Sequence, residues 1–129
     1  MALNNPTPQY QEAMTEGLSQ GDLILMTYDG AIRFSRKARA RLESGDLERK
    51  GTYLNKARDT ISALERSLNL EAGQEIASSL QKLYSFMIEQ LDQANLANDP
   101  RPIDLVITLL TQLRDAWNQI INGPMDVSY

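Results

Sequence analysis

Apolar residues recur every three or four positions along four stretches of the chain, residues 19–42, 46–69, 72–98 and 103–121. In an α-helix this spacing places the apolar side chains on one face. No stretch shows the alternation of apolar and polar residues that is typical of a β-strand. The pattern therefore predicts an all-α protein of four helices. The predicted core residues are Ile24, Tyr28, Ala31, Ser35, Ala38, Leu42, Leu47, Leu54, Ala57, Ile61, Leu64, Leu68, Ile76, Leu80, Leu83, Met87, Leu91, Ala94, Val106, Leu110, Leu113, Trp117 and Ile120.

Short polar segments separate these stretches and carry the residue types that begin and end helices. Ser19 followed by Asp22 matches a variant of the capping box at the start of the first helix. Gly45 suits the left-handed residue that ends a helix, and the prolines of segment 98–102 break the helical pattern. Because the connections are short, consecutive helices are expected to run antiparallel. Residues 19–122 are thus predicted to form an up-down four-helix bundle.

The two ends of the chain lie outside the helical pattern. Prolines and a glycine interrupt residues 1–18, which we interpret as a flexible N-terminal arm. Tyr10 and Met14, four residues apart, are its natural apolar anchors. Residues 123–129 are predicted to form a short C-terminal tail.

Two of the helices carry apolar faces wider than the stripe of about 100° that a bundle requires. Two interpretations remain open. The extra residues pack against a neighbouring helix or the arm, or they form a groove for the amphipathic helix of a partner. A mobile arm that covers the groove when it is empty satisfies both. The additional residues are Ala77, Tyr84 and Ile88 in the third helix, Ile103, Ile107 and Ile121 in the fourth, Leu25 and Ile32 beside the face of the first, and Tyr53 beside that of the second.

Composition narrows the function classes. The chain has 129 residues, enough for one domain, and 42% of them are apolar, enough for a core without disulfide or metal staples. It contains no cysteine and no histidine, which excludes a Ser-His-Asp triad and the histidine ligands of di-iron bundles. We therefore predict no catalytic residue, no cofactor and no metal site. The first thirty residues lack a signal peptide and no stretch is long and apolar enough for membrane insertion, so a cytoplasmic protein is expected.

A cluster of positive charge stands out in the first helix, in a chain whose net charge is −4. A solvated helix face is the favoured interpretation over a nucleic-acid site, because stacking aromatic residues are scarce beside it. Carboxylate pairs elsewhere in the chain are likewise typical of exposed helices. The basic residues are Arg33, Arg36, Lys37, Arg39 and Arg41.

In their order and spacing, several short segments resemble the flagellar secretion chaperone family, FliS. The likeness extends from about Tyr10 to Ile121. Two positions depart from the family pattern: Ser19-Gln20 stands where Ser-Pro is frequent, and Thr27 replaces an apolar residue. The matching segments are Leu23-Ile24-Leu25-Met26-Thr27-Tyr28-Asp29-Gly30-Ala31-Ile32, Gly45-Asp46, Lys50-Gly51, Lys56-Ala57, Gly73-x-Glu75-Ile76-Ala77, Leu80, Leu83-Tyr84, Met87, Ala94-Asn95-Leu96-x-Asn98-Asp99, Leu109-Leu110 and Ala116-Trp117-x-x-Ile120.

The resemblance implies a flagellar export chaperone. Such a protein binds the C-terminal segment of flagellin in the cytoplasm, prevents its premature polymerisation and delivers it to the type III export apparatus. The export gate and other flagellar regulatory proteins are further expected partners, and the N-terminal arm is expected to occupy part of the site when it is empty. The residues predicted to bind the partner are Tyr10, Leu25, Ile32, Tyr84, Ile88, Ile103 and Ile107.

Three alternatives remain beside this interpretation. A helical adaptor or regulatory bundle would use the same groove for an amphipathic segment of a protein other than flagellin. An enzyme would need carboxylates that converge in a pocket. A nucleic-acid binder would use the basic face and show steep salt dependence. Because a second copy also closes an apolar groove, a homodimer of the empty protein is a further expectation.

Overall fold

The computed structural model describes residues 19–123, which form four α-helices. They are α1 (Gln20–Ser44), α2 (Leu47–Arg66), α3 (Leu70–Ala97) and α4 (Pro100–Asn122). No strand occurs between residues 19 and 123, and the predicted all-α four-helix bundle is confirmed. The predicted arm, residues 1–18, and most of the predicted tail lie outside the described residues.

The four helices pack in a ring in chain order, and contacts at their ends show that neighbours are antiparallel. At the start of α1, a Cβ added to Gly21 would lie 2.7 Å from Ile121 Cγ2 at the end of α4. At the other end of the same pair, Arg39 Nε donates to Asp104 Oδ1 over 2.9 Å. The absence of a side chain at Gly21 therefore lets the two helices approach closely.

The predicted start and end of α1 are confirmed. Ser19 Oγ accepts from the amide of Asp22 at 3.1 Å, and Asp22 Oδ2 accepts in return from the amide of Ser19 at 3.3 Å. Gly45 ends the helix with φ 83°, in the left-handed region that favours glycine.

Two helix boundaries differ from the prediction because a residue expected inside or between helices acts as an N-cap. Asn69, predicted as the last residue of the second helix, instead accepts from the amide of Ala72 and begins α3. Asp99 accepts from the amide of Arg101, so α4 begins at Pro100 and not at residue 103. Proline is tolerated in the first helical turn, where its missing N–H has no partner to lose.

The core contains three aromatic side chains from three different helices. The hydroxyl groups of Tyr28 on α1 and Tyr84 on α3 share a hydrogen bond, and Trp117 Nε1 on α4 donates to Tyr28 Oη over 3.0 Å. Burial raises the pKa of both phenols. Since each polar atom has a partner, this network avoids the cost of an unsatisfied buried group. The buried core residues are Tyr28, Ala31, Ile32, Ala38, Leu54, Ala57, Ile61, Leu64, Tyr84, Met87, Leu91, Ala94, Ile103, Val106 and Leu110.

Three residues predicted for the core are exposed: Leu47, Ile76 and Ile120, the last of which lies in the final turn of α4 and is 73% exposed. Leu47 lies in the first turn of α2 and is 47% exposed, whereas the aliphatic stem of Lys50, one turn later, is buried. Ile76 on α3 is 74% exposed, while its neighbour Ala77 is buried. The buried face of α3 is centred near Tyr84 and not on the row through Leu83, which turns Ile76 outward.

Lys50 is a buried cation that the periodic pattern does not reveal. Its ammonium Nζ donates to Asn95 O at 3.1 Å, Asn95 Oδ1 at 2.6 Å and Asn98 Oδ1 at 2.7 Å. Burial lowers the pKa of this ammonium group. A cation at the C-terminus of a helix is favoured by the helix dipole. Lys50 therefore ties the start of α2 to the end of α3, and it joins two of the segments that carry the family resemblance.

Candidate functional site

The structure places most of the residues predicted to bind a partner inside the bundle. Ile103 and Tyr84 are core residues, 0% and 2% exposed. Leu25 and Ile32 each retain 7% of their surface. In this conformation these four side chains offer a partner little contact area. Tyr10 lies outside the described residues.

Ile88 and Ile107, the two remaining predicted residues, are half-buried between neighbouring helices. On a helical wheel Ile88 lies on the flank of α3 that carries Asp92, which pairs with Arg58 of α2. Ile107 lies on the flank of α4 that carries Arg114, which pairs with Asp29 of α1. These flanks are occupied by helix packing, so the interpretation that wide apolar faces contact neighbouring helices holds here.

The opposite flanks of α3 and α4 carry apolar residues that remain partly or largely exposed. The flank of α3 with Ile88 faces α2, and the flank of α4 with Ile107 faces α1, so the opposite flanks of α3 and α4 face each other. Of the four neighbouring helix pairs, α3 and α4 pack least closely. Ile76 is 74% exposed and Ile120 is 73% exposed. Phe86 and Leu105 are 39% and 40% exposed. We call this feature the α3–α4 surface, and its residues are Ile76, Leu83, Phe86, Leu105, Leu109, Leu113 and Ile120.

Few charges interrupt the α3–α4 surface. The polar residues that follow its apolar rows are the amides Gln90 and Gln93 on α3 and Gln112 on α4. The charged residues Lys82 and Glu89 lie at its outer edge on α3. A binding partner would therefore contact this surface mainly through apolar groups, and ionic strength would change the affinity little.

A separate apolar cavity of about 320 Å³ lies at the end of the bundle where α1 begins. All four helices contribute to this end cavity, which lies at the same end of the bundle as residue 19, where residues 1–18 precede α1 in the chain. Its lining includes Tyr84, so this predicted residue borders a cavity although it is almost fully buried. The lining residues are Ile24, Leu64, Ser67, Leu68, Asn69, Ala72, Gly73, Ile76, Ala77, Leu80, Tyr84 and Trp117.

The one non-helical residue inside α3 lies between residues that line the end cavity. Gln74 has φ 50° and ψ −122°, a combination that glycine adopts readily and other residues rarely do. It separates the first turn of α3 from the rest of the helix, and the cavity residues Ala72 and Ile76 lie on either side of it. This backbone strain costs about 1–3 kcal/mol.

The basic cluster of α1 divides into two groups. Arg39 pairs with Asp104 of α4, and Arg41 lies 3.9 Å from Asp46 at the α1–α2 turn. Arg33, Arg36 and Lys37 instead line a cleft of about 590 Å³ between α1 and α4. We call this the α1–α4 cleft. Its other lining residues are Asp29, Ile32, Ala40, Thr111, Arg114 and Asp115.

None of the helices between residues 19 and 123 is long and apolar enough to span a membrane. Over the same residues, no three acidic side chains come together in a group that would hold a metal ion.

Comparison with known proteins connects this architecture to a family. A sequence model described as "Flagellar protein FliS" matches residues 3–124. A relative from Bacillus subtilis (strain 168), named "Flagellar secretion chaperone FliS", is 37% identical over 123 residues, which span 95% of this chain and 91% of the relative.

Two further relatives carry the same name. The protein from Salmonella typhimurium is 43% identical over 110 residues, 84% of this chain and 82% of its own length. The protein from Vibrio cholerae is 36% identical over 109 residues, 84% of this chain and 80% of its own length. The resemblance seen in the sequence is thus confirmed, and the chain belongs to the FliS family of flagellar secretion chaperones.

Proposed function

We propose that this protein binds the C-terminal segment of flagellin in the cytoplasm, prevents its premature polymerisation and supports its delivery to the flagellar type III export apparatus. The observation that carries the proposal is the α3–α4 surface, an exposed and nearly uncharged apolar surface in a chain of a secretion chaperone family. Such surfaces suit an amphipathic helix, which docks its apolar face at intervals of three and four residues.

Binding of this kind orders a segment that is disordered when free. Coupled folding and binding typically buries about 1,000–3,000 Å² and costs several kcal/mol of the gross interaction energy. The covered apolar residues of the cargo are then unavailable for polymerisation. The ordering cost keeps the complex reversible, as release at an export gate requires.

The proposed contacts involve apolar side chains that are partly or largely exposed to solvent. Phe86 and Leu105 each leave about two-fifths of their surface exposed, and Ile76 and Ile120 extend the α3–α4 surface towards the end cavity. Ile88 and Ile107, predicted from the sequence, are half-buried on the other flanks and form a second set for the test. The other four predicted residues of the bundle, Leu25, Ile32, Tyr84 and Ile103, are buried and would contribute by stabilising the helix packing.

The N-terminal arm supplies a proposed competitor for the cargo. The end cavity is apolar and lies at the end of the bundle where α1 begins, and residue 19 immediately precedes that helix. From there an extended chain of nine residues reaches back to Tyr10, a span of at most about 30 Å. Tyr10 of the empty protein would fill this cavity and withdraw when the cargo arrives.

The test is isothermal titration calorimetry with a peptide that covers the C-terminal segment of the host's flagellin. Phe86→Asp and Leu105→Asp place a charge on the α3–α4 surface. Leu96→Asp is the matched control, because Leu96 is 88% exposed on the outer face of α3. Ile88→Asp and Ile107→Asp test the second set. Circular dichroism confirms that each variant is folded.

The outcomes separate the alternatives. Tight binding that Phe86→Asp and Leu105→Asp abolish and Leu96→Asp retains supports both the function and the surface. Loss only in folded Ile88→Asp and Ile107→Asp keeps the function and moves the site to the other flanks. If the folded wild-type protein does not bind flagellin at all, the proposal is wrong and a helical adaptor with another amphipathic partner takes its place.

A further inference from the structure

We propose that the α1–α4 cleft is a second protein-binding site, which takes an acidic helical segment of another protein. The α3–α4 surface and this cleft have opposite chemistry. The former is apolar and nearly uncharged, whereas three cations of α1 border the cleft, in a chain whose net charge is −4. An apolar cargo would not need these positive charges, so the cleft suits a different partner.

The three cations on the α1 wall are available for a partner. Among residues 19–123, no carboxylate lies within ion-pair distance of Arg33, Arg36 or Lys37. Other arginines of the bundle, such as Arg39 and Arg58, pair with an acid of a neighbouring helix. Within residues 19–123, Arg33, Arg36 and Lys37 are thus positive charges that no carboxylate compensates.

Neighbouring aromatic rings hold two of these cations in place. The Arg33 guanidinium lies 5.1 Å from the centre of the Phe34 ring, and Lys37 Nζ lies 5.5 Å from that of Tyr53. Cation–π contacts of this length restrict the side chains without neutralising their charge. Arg33 and Lys37 stand one helical turn apart, so they present a pair of positive groups with helical spacing.

The floor of the cleft allows close approach. Ala40 and Thr111 have short side chains and leave a depression of about 590 Å³ between α1 and α4. On the α4 wall, Arg114 Nε lies 3.0 Å from Asp29 Oδ1, and Arg114 Nη1 lies 3.9 Å from Asp115 Oδ1. The cleft therefore has one positive wall and one wall of mixed charge.

This distribution favours an acidic helix over a nucleic acid. Four cations and two carboxylates line the cleft, which leaves a net charge of +2. A phosphate backbone would meet Asp29 and Asp115, and the nearby Phe34 ring already has the Arg33 and Lys56 cations over it, which compete with a stacking base. A helix with carboxylates at i and i+4 would instead pair with Arg33 and Lys37, while a cation beside them would meet Asp115.

The two sites use different flanks of α4. Thr111 and Arg114 face the cleft, whereas Leu109 and Leu113 belong to the α3–α4 surface. At 100° per residue, the rows lie on opposite sides of the buried residue Leu110. Both sites are therefore open to simultaneous occupation, so the protein would join a cargo to a second protein.

The test uses fluorescence anisotropy with a labelled, alanine-based helical peptide that carries glutamates at i and i+4. A peptide with glutamine at those positions is the ligand control. Arg33→Glu/Lys37→Glu reverses two charges of the cleft. Arg66→Glu/Lys82→Glu changes the net charge by the same amount on exposed positions of α2 and α3, away from the cleft.

The proposal predicts saturable binding of the glutamate peptide that weakens as salt is added. The cleft variant should raise the Kd at least about tenfold, since two ion pairs become repulsive. The control variant should change it less than about threefold, because at physiological salt charges beyond about 8 Å are largely screened. Absence of saturable binding, equal loss in both variants, or equal affinity for the glutamine peptide would overturn it. So would a labelled single-stranded oligonucleotide that binds through the cleft where the glutamate peptide does not.

A second arm tests simultaneous binding and rests on the proposed function. The protein is first saturated with the flagellin C-terminal peptide, and the glutamate peptide is then titrated. An unchanged Kd supports two separate sites, whereas displacement would overturn them. If the flagellin peptide does not bind, the proposed function fails, and the result of the first arm still decides the cleft.

Discussion

At the scale of single residues, the periodic pattern of apolar positions does not predict which polar groups lie inside the bundle or what they bind. Tyr28 appears in the pattern as a core residue, but the pattern does not show that its hydroxyl meets Tyr84 and Trp117. From the sequence alone a lysine such as Lys50 is expected to be exposed, yet its side chain is only 5% exposed. Partners of this kind lie 45 to 89 residues apart in the chain. Spacing along one helix cannot reveal them.

Replacement of Lys50 should destabilise the fold. Lys50→Met keeps most of the buried stem but removes the only donor that the structure shows for Asn95 Oδ1 and Asn98 Oδ1 within residues 19–123. These acceptors are half-buried (Asn95) or exposed (Asn98), so the cost comes mainly from losing hydrogen bonds to a charged group, about 1.5–3 kcal/mol. Urea denaturation should show that loss in the free energy of unfolding. Lys82→Met, on an exposed face, should change it by less than about 0.5 kcal/mol. Equal values for the two variants would contradict the assigned role of Lys50.

The buried tyrosine pair predicts how stability depends on alkaline pH. Burial raises the pKa of Tyr28 and of Tyr84 above the usual 10.0. Above that pH the unfolded chain releases these two protons while the folded protein keeps them, so the free energy of unfolding falls as the pH rises. Each phenol contributes about 1.4 kcal/mol per pH unit. Urea denaturation at pH 9, 10 and 11, roughly spanning the reference value, should show the decline, and Tyr28→Phe should make it shallower. Native-state ionisation of every tyrosine near pH 10, seen by absorbance, would contradict the burial.

At the scale of the elements, the sequence predicts the number and type of the helices and the start and end of α1. The flank of each helix that meets solvent was not predictable. The row of Leu83 and the row of Ile88 border the same buried face of α3, and one sequence does not say which row faces an open side. That choice depends on how the helices are rotated in the bundle, which is set by contacts such as that of Asp92 with Arg58. For this reason the sequence could not decide which flank of α3 offers a partner the larger exposed apolar area.

The kink at Gln74 predicts how glycine substitutions change the stability of α3. Gln74→Gly should raise the free energy of unfolding by about 1 kcal/mol, because glycine adopts φ 50° without strain. Gln93→Gly in the regular part of α3 should lower it by about 1 kcal/mol, the usual helix penalty for glycine. Thermal denaturation of the two variants compares them directly. A loss of stability in Gln74→Gly as large as in Gln93→Gly would show that residue 74 is helical in solution.

At the scale of the whole molecule, the bundle presents distinct chemistry on two sides of α4. One side is the apolar α3–α4 surface proposed for flagellin, and the other is the positively charged α1–α4 cleft. The family assignment follows from segments spread along nearly the whole chain. The structure adds that some of these segments, such as Lys50-Gly51 and Asn95, hold helix ends together and so serve the fold.

The central claim is that the cargo docks on the α3–α4 surface, and a single fluorescent label tests it most directly. Because the chain contains no cysteine, Phe86→Cys and Leu96→Cys each provide one attachment site for an environment-sensitive dye, on the surface and away from it. When the flagellin C-terminal peptide is added, the account predicts a blue shift and stronger emission from the dye at residue 86, and no change at residue 96. A shift at residue 96 alone, or at neither position while calorimetry shows binding, would contradict it.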